Sequence, residues 1–368
     1  MHRALECAAG DRMKPMVQST PSPWLSVLVP VYGVERWIRQ CMESVLSQAD
    51  DGVEILVLDD ASPDGSMAIV HELQQRHPGR IRVLEHPRNR GLSAARNSLM
   101  DAATGRYFWF LDSDDVLLPG AIERLRGVVA REAPDLVLCD FRVLREDSGL
   151  LHRLRGEMHR RSFAGRTRAG SGRDALLAGL LEARQFHAWS KIATAGIWRA
   201  ARFPEGRYFE DIAVIAPLCA PVRNWRHVPE PWVGYRQRDG SILSDMTPAK
   251  TRDLLASLRD LHRGVTVMQG LSARTRRALE YACLRAFAAL ARKMPGDESL
   301  ERECLAVMAE VFPQGIPRVL ADCRRRGWWL RAWRAGHSLA RRGWGHHAGD
   351  QERKRPAMLS RRYSPRAR

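Results

Sequence analysis

From Trp24 onward, short β-branched and apolar runs alternate with longer segments whose apolar positions recur at helical spacing. This rhythm predicts a doubly wound α/β fold, a mostly parallel sheet with crossover helices. Strands are expected at Ser26–Val31, Glu54–Asp60, Ile81–Leu84, Tyr107–Asp112 and Asp135–Cys139. Between the first two, Trp37, Ile38, Cys41, Val45 and Leu46 mark one face of a helix. A second helix runs from Gly65 to His77, a third from Leu92 to a C′ glycine at Gly105, and a fourth starts at Pro119. Residues 145–185 are rich in Arg and Gly and read as a long excursion with a short helix. Aromatic residues return over 186–245, helical periodicity dominates from Pro248 to Ala348, and the end from Gly349 is polar and basic. The expected plan is a loose lead (1–23), an α/β body (24–245, with halves 24–140 and 186–245), a helical region (246–348) and a disordered tail (349–368).

Charge changes the picture in one place. The 368 residues carry a net charge of +17, but residues 318–368 hold fourteen Arg and one Lys against three acidic residues. The excess is therefore a C-terminal feature, and the body lacks an aromatic-basic motif of the kind that reads nucleic acid. Seven cysteines occur with no C-x-x-C pair, which argues against a disulfide framework or structural zinc and for a reducing, cytoplasmic setting. No window approaches the roughly 20 apolar residues that span a bilayer. Residues 1–23 lack an apolar h-region, and initiation at Met13 or Met16 would suit them. Residues 327–344 mix Trp with Arg, the profile of a helix lying on anionic lipid at the inner face of a membrane. The same profile suits a helix that covers the body with its Trp face and leaves its Arg face solvated.

Ligands of doubly wound sheets bind at the carboxyl ends of the strands, and two of those ends are acidic: Asp59-Asp60-Ala-Ser-Pro-Asp64 and Asp112-Ser-Asp-Asp115. Carboxylates one residue apart can hold a hard divalent cation together with substrate phosphates, although Asp and Ser also simply close turns. An EF-hand is excluded, because Val116 and Leu117 stand where a ligand and Gly are required. There is no P-loop, and the G-x-G-x-x-A at Gly170 to Ala175 follows an Arg-rich stretch in place of a strand.

Four ordered motifs make the pattern specific: Ser26-Val-Leu-Val-Pro-Val-Tyr32, Val57-Leu-Asp-Asp-Ala-Ser62 with Asp64, Asn89-Arg-Gly-Leu-Ser-Ala-Ala-Arg-Asn97, and Phe110-Leu-Asp-Ser-Asp-Asp115. In order and spacing they resemble the family-two inverting glycosyltransferases with the GT-A fold. Trp189-Ser-Lys-Ile192, Phe209-Glu-Asp-Ile212 and Tyr235-Arg-Gln-Arg-Asp-Gly-Ser241 are similar to that family's acceptor-side half. The resemblance implies that Pro30, Tyr32 and Glu35 line the nucleoside end, that Asp59 or Asp60 contacts base or ribose, and that Arg96 reaches base or diphosphate. It further implies Asp114 as ligand of Mg²⁺ or Mn²⁺ with Asp112 beside it on ribose or sugar, Arg236 and Ser241 on the diphosphate, and Asp211 as general base next to Glu210. Trp189 and Lys191 would serve an acceptor, though a buried Trp with a snorkelling Lys is equally ordinary. Gly33 stands where Asn is usual and Ala61 where Gly is usual, with little damage expected from either.

The activity that the resemblance implies is transfer of a sugar from a nucleotide sugar, UDP-linked, to a glycan, lipid-linked or wall-polymer acceptor. A sugar-phosphate nucleotidyltransferase would need a Gly-rich basic loop where Tyr32-Gly-Val-Glu35 stands. The remaining alternative is a non-catalytic α/β body that binds nucleic acid or membrane through its basic end.

Overall fold

Leu25–Val31 is buried at every position, as a central strand between helical layers must be. The computed structural model describes residues 22–145, 159–165, 167–237 and 245–344. The remainder of the expected lead, the tail from 349 and Ser241 lie outside the described residues.

In chain order the strands are β1 (Leu25–Val31), β2 (Val53–Asp59), β3 (Ile81–Glu85), β4 (Tyr107–Phe110), β5 (Val116–Leu117), β6 (Leu136–Leu144), β7 (His159–Arg160), β8 (Ala169–Ser171), β9 (Lys191–Thr194) and β10 (Asn224–Arg236). The helices of the body are α1 (Glu35–Leu46), α2 (Ser66–Arg76), α3 (Leu92–Ala102), α4 (Ala121–Glu132), α5 (Arg173–Ala183), α6 (Ala195–Ala200), α7 (Glu210–Ala213) and α8 (Ile215–Cys219). Five more follow: α9 (Pro248–Thr266), α10 (Ala273–Lys293), α11 (Glu298–Val311), α12 (Ile316–Arg325) and α13 (Trp329–Arg341). The main path through the sheet is β3-β2-β1-β4-β9-β6-β10-β5. The first four strands are parallel, and β9 lies antiparallel between β4 and β6.

Strand alternation sorts the core into two layers. Val27, Val29, Ile55, Val57 and Trp109 face α1, α2 and α4, whereas Leu28, Leu56, Phe108 and Phe110 face α3, α5 and the C-terminal helices. Thr247, Ser272 and Asp297 each cap one of those helices through a side-chain oxygen, so their boundaries follow ordinary N-cap chemistry. No single helix among the described residues is long and apolar enough to cross a membrane.

Several expectations need correction. Gly105 does not cap α3, which ends at Ala102; a Cβ there would sit 2.5 Å from Ser26 Oγ, so the glycine serves close approach to β1. Pro119 lies outside α4, separated from Ala121 by Gly120 at φ 77°. The Gly170 motif does follow a short strand, β8, and opens α5. That strand is antiparallel to β10, and Trp225 Nε1 donates to Gly172 O at 3.1 Å, so the turn is built for packing. Ala61 sits at φ 58°, a left-handed conformation that costs a residue with a Cβ roughly 1–2 kcal/mol, so this departure from Gly carries a strain.

Candidate active site

The strand order reverses between β1 and β4, and Pro30 helps to open that crevice. Pairing of β1 with β4 ends at Leu28 and Phe110, while pairing with β2 continues to Val31 and Asp59. Leu28 O accepts from Leu111 N on the β4 side, and Pro30, two residues on, faces the same way without an N–H to offer. Tyr32 stands half exposed at the rim beyond it. Val34 N donates to Ser66 Oγ (2.9 Å), Glu35 N to Asp64 Oδ2 (3.0 Å) and Gly65 N to Glu35 Oε2 (2.9 Å), stitching the ends of β1 and β2 together. Glu35 therefore shapes this rim, which with Gly33, Trp37 and Asp64 borders an open recess.

The two aspartates after β2 separate in role. Asp59 accepts from Ser62 N at 2.8 Å and remains half-buried. Asp60 is 2% exposed; its Oδ1 accepts from His86 Nδ1 (2.6 Å) and Arg90 N (2.9 Å), and its Oδ2 from Gly91 N (2.7 Å). Those bonds pin the loop before α3, so of the pair only Asp59 is left to meet a base or ribose.

Arg96 organises the acidic centre. Its guanidinium, 1% exposed, donates from Nη2 to Asp112 Oδ1 (2.8 Å) and from Nη1 to Glu210 Oε1 and Asp211 Oδ1 (2.9 Å each). Three carboxylates from two distant stretches thus meet on one cation. Burial alone would lower the Arg96 pKa, but Asp211, Asp112 and Glu210 drive it above its ordinary value. Arg96, expected to reach a base or diphosphate, turns both Nη donors to carboxylates here, and its Nε is buried without a hydrogen-bond partner. Burial, then the neighbouring Asp211, pushes Glu210 up to about 7. Phe209, just before it, holds φ 61°, a strained backbone that starts α7 and aims both carboxylates at Arg96.

The loop from β4 to β5 is closed by Asp115 N donating to Asp112 O at 2.9 Å. Asp115 is buried; its Oδ1 accepts from Arg236 N (2.8 Å) and its Oδ2 has no partner. Burial, then Asp114 and Asp112, holds its carboxyl well above the usual range. Arg236 Nε donates to Asp114 O (3.0 Å), and its guanidinium lies 4.2 Å over the Trp37 ring, so Asp112, Asp114 and Arg236 share one rim. Among the described residues no group of three or more His, Cys, Asp or Glu side chains is arranged to hold a metal ion by itself.

Lys191 and Trp189 do not join this rim. Lys191 begins β9, an interior strand, and its fully buried Nζ donates to Gln185 O (3.0 Å), His187 O (2.8 Å) and Ser190 Oγ (3.1 Å). Desolvation lowers it to about 8, and its three acceptors place it in the core, away from the groove where an acceptor-binding residue was expected. Trp189, 1% exposed, stacks on His187 at 4.7 Å and on Tyr235 at 5.6 Å, so it too backs the wall without facing the groove. Asp115 and His187 were missed as site neighbours. Asp115 stood inside the quoted Asp-Ser-Asp-Asp run, whereas His187 had no spacing signal.

The glycosyl transferase family 2 model matches residues 26–179. EpsH of Bacillus subtilis is 38% identical over 128 residues, 35% of this chain and 36% of that protein. The glycosyltransferase GlyA of Streptococcus pneumoniae is 28% identical over 225 residues, 59% of this chain and 31% of its own. The matches thus span about a third of those relatives' length. The crystal structure of S. aureus TarS 1–349 in complex with UDP-GlcNAc superposes with a TM-score of 0.66 at 18% identity, covering 87% of this chain and 92% of that one. Residues 26–179 thus match the glycosyl transferase family 2 model, and the chain carries them on the fold it shares with the TarS structure.

Proposed function

We propose that this protein transfers a sugar from a nucleotide sugar, uridine diphosphate being the favoured donor, to a hydroxyl of a glycan, lipid-linked or wall-polymer acceptor with inversion. The observation that carries the reading is the convergence of Asp112, Glu210 and Asp211 on Arg96 beside the Asp114 rim. Relatives point the same way: TarS is solved with UDP-GlcNAc, and a minor teichoic acid biosynthesis protein of Bacillus subtilis is 36% identical over 102 residues.

Asp112 and Asp114 fit a divalent cation by their chemistry. They are hard oxygen donors whose charges, after burial, help to push the neighbouring Asp115 carboxyl up, a repulsion that a cation would relieve. With no third His, Cys, Asp or Glu arranged with them to hold a metal, the remaining ligands would be phosphate oxygens and water, the usual arrangement for Mg²⁺ or Mn²⁺ in such sites. Bound there, the ion supplies positive charge to the departing diphosphate. Arg236 adds a second cation on that rim. Tyr32 and Asp59 hold the nucleoside end, and Ser241, outside the described residues, remains the proposed diphosphate contact. Asp211, held by Arg96, takes the acceptor proton as the hydroxyl attacks the sugar from the face opposite the leaving group.

Calorimetry against a panel of nucleotide sugars with Mn²⁺ tests the assignment; heat from none of them removes it. Asp114→Ala is expected to weaken nucleotide binding by at least about tenfold with Mn²⁺ present and far less without it. Equal weakening in both conditions would assign Asp114 to the fold.

The Glu210–Asp211 pair also predicts a pH profile. A carboxyl raised to about 7 is protonated below that value, where it weakens the pair as a proton acceptor. The profile of kcat/KM should therefore rise with pH up to about 7, then level off. Glu210→Gln should abolish that inflection, and an unchanged inflection would assign it to another group.

A further inference from the structure

Helix α13 has a used face and an unused one. Ala332, Ala335, Ser338 and Leu339 are buried, and the helix packs on α10 and α12. At its two ends Trp328 lies 4.9 Å from Tyr281, and Trp344 Nε1 donates to Glu301 Oε1 at 2.7 Å, so both indoles serve the fold. Trp329, Leu330 and Trp333 are 65, 58 and 63% exposed. A helix that covered the body with its Trp face would hide these three. Trp329, Trp333, His337 and Arg341 follow one another at four-residue spacing and form a single line along the outer surface, with Trp333 stacked on His337 at 5.4 Å.

The surroundings of that line are cationic. Arg318, Arg324, Arg325, Arg331, Arg334 and Arg341 are all exposed, and Asp322, the acidic residue of the segment 318–344, is bonded to Arg325 at 2.9 Å. Exposed apolar side chains sharing a helix with exposed arginines match a surface that offers anions outside and an apolar phase beneath. A nucleic acid supplies phosphates and base faces but no apolar phase for Leu330, which decides between the two polyanions.

We propose that this face of α13 docks on an anionic lipid bilayer, with the indoles of Trp329 and Trp333 at headgroup depth, Leu330 between them, and the arginines on the lipid phosphates. Each arginine near such a surface multiplies the partition by about fivefold, so a few suffice alongside two indoles. The surface is independent of the transfer chemistry, since none of these residues lies at the acidic centre.

The test is sedimentation of the full chain with vesicles of phosphatidylglycerol and phosphatidylcholine, against vesicles of phosphatidylcholine alone. Binding is expected only with the anionic lipid, with a blue shift of Trp fluorescence and weakening in high salt. A Trp329→Ala, Trp333→Ala double variant should lose at least about tenfold in partition, with an unchanged thermal melt because both side chains are exposed. An R334E, R341E variant should lose a comparable amount, and both should keep transfer to a soluble acceptor. Equal pelleting with neutral vesicles, or wild-type partition of the Trp variant, overturns the proposal. So does a dimer that dissociates in the Trp variant, which would make this a contact between copies, or duplex DNA binding that depends on the arginines in the absence of any vesicle partition.

Discussion

Replacing Arg96 by Ala is expected to lower the melting temperature on the order of 10 °C. The loss arises because Asp112, Glu210 and Asp211 would be left facing one another with their shared donor gone. Breaking a buried ion pair costs about 3–5 kcal/mol. The three carboxylates keep 12–28% side-chain exposure, which places the loss toward the lower end of that range. Against a total stability of about 5–15 kcal/mol, that is still a major fraction. The pH dependence separates charge from packing. Without Arg96, Glu210, already pushed up to about 7, loses a cation that lowers it, so the variant's stability is retained at low pH and lost as pH rises through that folded value. Its deficit against wild type should be larger at pH 8 than at pH 5, whereas a pure cavity would give equal losses. Arg96→Lys should fall between, since an ammonium keeps the charge but cannot fork toward three acceptors. A melt of Arg96→Ala that matches wild type at both pH values would show that the cluster does not depend on this cation.

Asp211→Asn should cut transfer by about 10²–10⁴ while leaving metal-dependent nucleotide binding intact. The substitution keeps an Oδ1 acceptor for Arg96 Nη1, bonded at 2.9 Å in the native chain, and changes only the capacity to take a proton. The readouts are turnover with a soluble acceptor, calorimetric nucleotide affinity, and a thermal melt. Wild-type turnover in Asp211→Asn would remove Asp211 as base, and Glu210, bonded to the same Arg96 nitrogen, would then be the first residue to test.

The two predictions depend on different levels of information. The D-x-D pair, the Glu-Asp pair and Arg96 are all visible as motifs, the first at the end of a strand, the second at the start of a short helix and the third within α3. What Arg96 does was not visible. A motif records that an Arg is present in α3, but whether it points to a phosphate or to carboxylates more than a hundred residues away depends on how the chain returns. The same gap explains Lys191. Within the sequence it reads as a cation beside an aromatic, and only the insertion of β9 between β4 and β6 converts it to a buried group with three acceptors. A four-residue strand that opens with a Lys gives no periodic signal, so its central place could not be foreseen.

Gly105 and Asp60 tell a related story. Glycine is an ordinary helix terminator, and an aspartate after a strand is an ordinary ligand contact, so both readings were reasonable on local grounds. The structure assigns Gly105 to a close approach with Ser26 and Asp60 to three donors of a distant loop. Neither partner is near in sequence.

Local pattern by itself determined the α/β class, the five strands first expected and the helices between the early ones, because periodicity and turn chemistry act over a few residues. It also placed the acidic groups at the carboxyl ends of strands. Tertiary structure alone decided which aspartate is consumed by the fold, which cation holds the acidic centre, and which of the C-terminal tryptophans are covered. Those outcomes turn on desolvation and on donors brought from far along the chain, and such energies exist only once the chain has folded back on itself.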